Sequence, residues 1–199
     1  MYRCFCLLAL LVLTACGGGE SVWAPDDVVA KATYRHSGPK RLTLFTMINN
    51  SSGAGAHTAL MINGSQRVIW DPAGSFAHEK VPERNDVVIG VSPSVLAFYK
   101  SYHARKTFRL RIQELDVSAK IAERTLDAAL ANGPVPDALC ANSTSMILSQ
   151  IFPDKIHPTL SPLNLSQQFA GLGANSREVY EYDSDDNRGV LTDWVPPKN

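Results

Sequence analysis

The sequence predicts an α+β fold, a mainly antiparallel sheet with helices packed on one face, and three observations carry that expectation. Segments with period-two apolar alternation crowd the first half of the chain, helix-period segments dominate the second, and a tight Asn63-Gly64 turn joins two neighbouring strand segments. The 199 residues are 45% hydrophobic and 19% charged, the composition of one ordinary globular domain. Nineteen basic residues balance nineteen acidic ones and no Lys/Arg run occurs, which excludes a nucleic-acid surface built on charge.

The first fifteen residues are read as an export signal rather than fold. Arg3 precedes an apolar run from Phe5 to Leu13, too short to span a bilayer. Leu13-Thr14-Ala15-Cys16 resembles a bacterial lipobox, which implies a lipid on Cys16, a membrane partner through it and, with Gly17 following, the outer membrane. Residues 16–40 form a glycine tether and a surface segment with Pro25 and Pro39; residues 41–199 form the domain. With Cys4 and Cys6 removed and Cys16 lipidated, Cys140 is the one thiol left, so it is either an inert core residue or a working one.

Within the domain, Arg41–Ile48 alternates with apolar residues on both faces and reads as a buried strand. Asn49–Gly55 is a loop, and His57–Ile62 with Arg67–Asp71 is a hairpin that Asp71-Pro72-Ala73-Gly74 closes. Val87–Val91 is a short strand, and Ser92-Pro93 caps and starts a helix running to Tyr102. Phe108, Leu110 and Ile112 alternate with Arg109 and Arg111 in a half-exposed strand. A helix over Val117–Ala131 carries the stripe Ala119, Ala122, Leu126, Ala129, Leu130 and stops at Asn132-Gly133-Pro134. Asp137 is expected to cap the next helix, with Leu139, Met146, Ile147 and Ile151 buried and Cys140 in its first turn. Asn164–Leu172 is a short helix and Glu178–Tyr182 a last edge strand.

A thiol in the first turn of a helix feels the positive end of the backbone dipoles, which favours the thiolate. His57 follows Gly53-Ala54-Gly55-Ala56, whose small residues leave room beside an imidazole. Asp71, at the far end of the paired strand, can hold the other ring nitrogen, or it can simply cap its turn. The segments His57-Thr58-Ala59-Leu60-Met61-Ile62, Val68-Ile69-Trp70-Asp71 and the late Leu139-Cys140-Ala141-Asn142-Ser143 resemble the circularly permuted branch of the NlpC-type papain-like superfamily, which includes the YiiX-like and lecithin retinol acyltransferase-like proteins. The resemblance covers residues 41–172. It implies Cys140 as nucleophile, His57 as base, Asp71 as the orienting group and a thiol hydrolase or acyltransferase acting on cell-wall peptide amides or lipid esters. The Cys140 amide is one oxyanion donor, with Asn142 and Asn49 as candidates for a second.

The remaining histidines show no HxH or HExxH spacing, so neither a metal nor another cofactor is expected; His78 is a reserve base. Asp183, Asp185, Asn187 and Gly189 approximate a calcium loop but Trp194 stands where its closing carboxylate belongs. Trp70 and Phe76 are core or pocket wall. The domain is expected to be monomeric, and a non-catalytic envelope-binding lipoprotein remains the competing class, marked by a Cys140 buried away from His57.

Overall fold

The computed structural model describes Gly19 and residues 21–179; the expected export signal, Cys16 and the 183–189 acidic segment lie outside the described residues. The central strand follows from its sequence: β1 (Arg41–Asn49) has seven successive buried residues because both its faces are covered. It pairs antiparallel with β2 (Gly55–Asn63) from Arg41↔Asn63 to Ile48↔Gly55 and, on its other edge, with β6 (Phe108–Asp116). Outward from β2 lie β3 (Arg67–Trp70), β5 (Val87–Val88) and β4 (Glu83–Arg84), and β7 (Asn175–Val179) closes the far edge on β6. The result is a seven-stranded, wholly antiparallel sheet with five helices packed against it.

The expectation of helices on one face is corrected. Leu42, Leu44, Leu60, Ile62 and Trp70 meet α3 (Ala119–Ala131), α4 (Cys140–Ile151) and α5 (Pro162–Ala170). Phe45, Met47, Ala59, Met61 and Ile69 point the opposite way and meet α2 (Pro93–His103) through Val95, Phe98 and Tyr99. A strand with apolar residues at every position needs a cover on each side, since period two sends neighbours to opposite faces.

Element boundaries differ where one local feature overrides the pattern. Gly90 takes φ +77° and ends the β5 segment early. Ser92, Ser118 and Ser161 cap α2, α3 and α5 with their hydroxyls. Asp137 does not cap α4: Ala138 takes φ +65°, which excludes it from a right-handed helix, and Leu139 becomes the N-cap. Leu130 and Met146, expected in the core, are 40% and 48% exposed because the buried arcs of their helices lie on other residues. The last strand begins at Asn175, ahead of the expected Glu178. Residues 21–40 add a short helix, α1 (Asp26–Ala32), and tie to the sheet through Ala24 N–H to Glu83 O, 3.0 Å, and Arg67 N–H to Tyr34 O, 2.8 Å.

Gly90 has no room for a side chain, because a Cβ there would overlap the Ala32 carbonyl oxygen and φ is left-handed. Gly90→Ala should lower stability by about 2–3 kcal/mol in a urea titration; an unchanged midpoint would mean that α1 shifts freely away.

Candidate active site

The site begins as a gap in the sheet. β1 follows β2 along its whole length, whereas β3 pairs with β2 only from Asn63↔Arg67 to Leu60↔Trp70. The first half of β2 therefore has no strand on its β3 side, and the start of α4 occupies that side. Thr58 donates its backbone N–H to the Cys140 sulfur there. His57, one residue earlier, reaches the same thiol with its side chain.

Asp71 stands where β3 ends. The turn Asp71-Pro72-Ala73-Gly74 is closed by Gly74 N–H to Asp71 O at 2.9 Å, with Ala73 at φ +54°. A side chain at Gly74 would overlap the Asp71 carboxylate, so glycine is required for the carboxylate to fold back over its own turn. His57 Nε2 donates to Asp71 Oδ1 at 2.8 Å, leaving Nδ1 to meet the thiol. The side chain of Asp71 is 3% exposed and that of His57 17%, so the charged pair is shielded while the imidazole still reaches solvent.

Asp86 joins these parts. The β4–β5 turn holds Asn85 and Asp86 at positive φ, a geometry suited to two-residue hairpins. The Asp86 carbonyl accepts the Asp71 amide at 2.8 Å, and its Oδ2 accepts the amides of Ala73 and of Val135, which precedes the Cys140 turn.

The electrostatics favour a thiolate and an imidazolium. Burial alone would depress the His57 pKa, but the charge and hydrogen bond of Asp71, with the Cys140 sulfur, raise it to about 10. Burial alone would raise the Cys140 pKa; the His57 hydrogen bond and charge, then the amides of Thr58 and Ala141, bring it below the ordinary thiol value. Burial likewise opposes Asp71, and His57, His103 and Tyr99 overcome it, leaving its pKa below the usual carboxylate range.

Two participants escaped the sequence reading. Tyr99 donates its hydroxyl to the same Asp71 Oδ1 at 2.7 Å, which makes it a positioning residue. His103 stacks on His57 with ring centroids 6.1 Å apart and bonds through Nδ1 to the Tyr99 carbonyl at 2.9 Å; burial, first of all, lowers its pKa to about 4, so it stays neutral. The available signal was the four-residue spacing of Tyr99 and His103, which puts them on one helix face. Phe76 lies edge-on to Tyr99 at 5.0 Å as part of the buried core on that face of the sheet.

Asn142 lies in the first turn of α4, and its carbonyl accepts Ser145 Oγ. Asn49 is committed to its loop, its side-chain oxygen accepting the amides of Ser51 and Ser52 at 3.0 and 2.9 Å. Gly55 does not hold open space beside His57: a Cβ there would meet Pro162 and Leu163 at 3.0–3.1 Å, so it admits α5 instead. His78 accepts the Lys80 amide and packs on Phe98. Among the described residues no group of three His, Cys, Asp or Glu side chains is gathered to hold a metal ion.

No protein-family model, curated protein or solved structure matches the chain.

Alkylation of Cys140 by iodoacetamide should be fast at neutral pH and slow as acid protonates the thiolate, because its pKa lies below the ordinary thiol value. In His57→Ala the first supporting charge is gone, and the neutral-pH rate should drop roughly tenfold or more; equal rates would dissolve the pair. Tyr99→Phe removes one bond to a charged acceptor, about 1.5 kcal/mol. Because Tyr99 helps hold the Asp71 pKa down, the variant should be less stable than the parent at neutral pH and the difference should shrink as acid protonates the carboxylate, with Cys140 still alkylable.

Proposed function

We propose that this chain is a thiol hydrolase or acyltransferase of the bacterial cell envelope, anchored through a lipid on Cys16 and acting on peptidoglycan-type amide bonds. The carrying observation is the continuous line of contacts Cys140–His57–Asp71–Tyr99. The non-catalytic reading requires a Cys140 away from His57, and the contact between them speaks against it. The order of parts, with a histidine hairpin first and a cysteine helix last, is that of the permuted papain-like enzymes.

The chemistry follows from the charge state. The Cys140 thiolate attacks the substrate carbonyl carbon, and the electron pair of the C=O bond moves onto oxygen. The Cys140 amide, at the first position of α4 where helix N–H groups have no partner within the helix, is the donor this reading assigns to that oxyanion. As the C–N bond breaks, the leaving nitrogen takes the proton from His57 Nδ1, giving an amine and a Cys140 thioester. A water then gives its proton to His57 and its oxygen to the carbonyl carbon, releasing the acid and restoring the thiolate; an amine or alcohol in place of water makes the same step a transfer. Throughout, Asp71 holds Nε2–H and stabilises the imidazolium, while Tyr99 fixes the carboxylate. A lipid ester would pass through the same thioester, so the site chemistry is common to amide and ester.

No helix among the described residues is long and apolar enough to cross a membrane, and the proposed attachment is through the lipid on Cys16. Incubation of the mature protein with stem-peptide amides and, separately, acyl esters should leave an acyl mass on Cys140, absent in Cys140→Ala. In His57→Ala, turnover should fall by about 100-fold or more. A thiol that alkylates readily but acquires no acyl group from either panel would sink the hydrolytic reading.

A further inference from the structure

The N-terminal segment approaches the site from an unexpected side. A Cβ on Gly19 would lie 2.6 Å from the Val135 carbonyl oxygen and 2.8 Å from the Val135 nitrogen, so only glycine permits this backbone approach. The chain then runs along the outer edge of β4. Asn85 donates its amide to the Val22 carbonyl at 2.9 Å, Ala24 donates to Glu83 at 3.0 Å, and Trp23 bridges to Arg84. The Arg84 guanidinium lies 4.6 Å over the indole and its side chain reaches Asp26, which fixes Trp23 in place.

This well-held segment is nevertheless greasy outside. Val22, Trp23 and Val28 are 43%, 62% and 40% exposed, half of the exposed large hydrophobic side chains among the described residues. A fixed backbone with apolar side chains turned outward is a contact surface, and a tryptophan prefers the interfacial layer of a bilayer, where its ring is buried and its N–H stays wet.

The length of chain ahead of it identifies the partner. Only Gly17 and Gly18 separate Gly19 from Cys16, a reach of about 10 Å at full extension. A domain of this size has a radius of gyration of about 15 Å. A lipid on Cys16 therefore cannot hold this corner further from the bilayer than the domain's own radius.

We propose that the corner formed by Gly19, Val22, Trp23 and Val28 is a membrane-docking surface, with Trp23 and the two valines entering the interfacial layer of the bilayer. The inference rests on the lipid-anchor reading of Cys16. It has a consequence for the site: Val135, against which Gly19 packs, shares Asp86 with the Asp71 turn and lies five residues before Cys140. Docking at this corner thereby bears on the same Asp86-linked segment that leads into Cys140.

The test uses the mature protein purified from membranes, with its intact mass recorded, reconstituted in phosphatidylethanolamine and phosphatidylglycerol vesicles with plain or brominated acyl chains. In a Trp194→Phe background, brominated chains should quench tryptophan emission and Trp23→Phe should remove that quenched component, since the remaining Trp70 is fully buried. Val28→Glu, on the exposed side of α1, should weaken the quenching without touching the core. A protein that carries the lipid mass and floats with vesicles, yet emits identically in both kinds, overturns the docking surface and leaves the anchor standing. A protein with neither lipid mass nor vesicle flotation overturns both.

Discussion

A carboxylate withdrawn from water is the constraint around which this structure is arranged. Asp71 is 3% exposed, and a buried charge is tolerated only where donors replace the lost solvent. Oδ1 takes both His57 and Tyr99, while Gly74 is side-chain-free so that the carboxylate fits over its own turn. The two donors come from different elements, β2 and α2, and the loop after β3 supplies the room. The charge thus fixes how the hairpin and α2 meet, and the imidazole inherits its orientation from that meeting.

The electrostatic balance is a contest that burial loses. For His57, Asp71 and Cys140, withdrawal from water opposes the charged form, and in each case neighbouring charges and hydrogen bonds prevail. His103 shows the other outcome a few ångströms away: with the same carboxylate nearby but a charged His57 beside it, burial wins and the ring stays neutral. Two imidazoles stacked in one pocket thereby hold opposite charge states, which removes the repulsion that two imidazolium rings would suffer.

The sequence alone made most of the sheet legible, because β1, β2 and β3 declare themselves by alternation and by the Asn63-Gly64 turn. The three groups Cys140, His57 and Asp71 were legible as residue types in suggestive local settings, and their meeting was not, since it depends on where β3 stops. The start of α4 was misplaced because Asp137 has the chemistry of a cap, whereas the deciding fact is the left-handed Ala138, and an alanine gives no local sign of such a backbone. Gly55 illustrates the same limit: a glycine beside a histidine suggests space, but space on a strand is filled by whatever packs there, in this case Pro162 and Leu163. Tyr99 and His103 were hidden because a helix stripe of aromatics reads as core until its polar atoms are seen to face a buried charge.

The gap beside the first half of β2 has a bearing on the chain before it is finished. The hairpin supplies His57 and Asp71 early, while the thiol arrives on a helix separated from them by the whole middle of the chain. Until α4 docks, Cys140 is an ordinary, mostly protonated thiol with little nucleophilic power. Reactivity is therefore a property of the completed tertiary structure, and a nascent or partly unfolded molecule is chemically quiet, protected from premature oxidation or self-acylation by its own folding order.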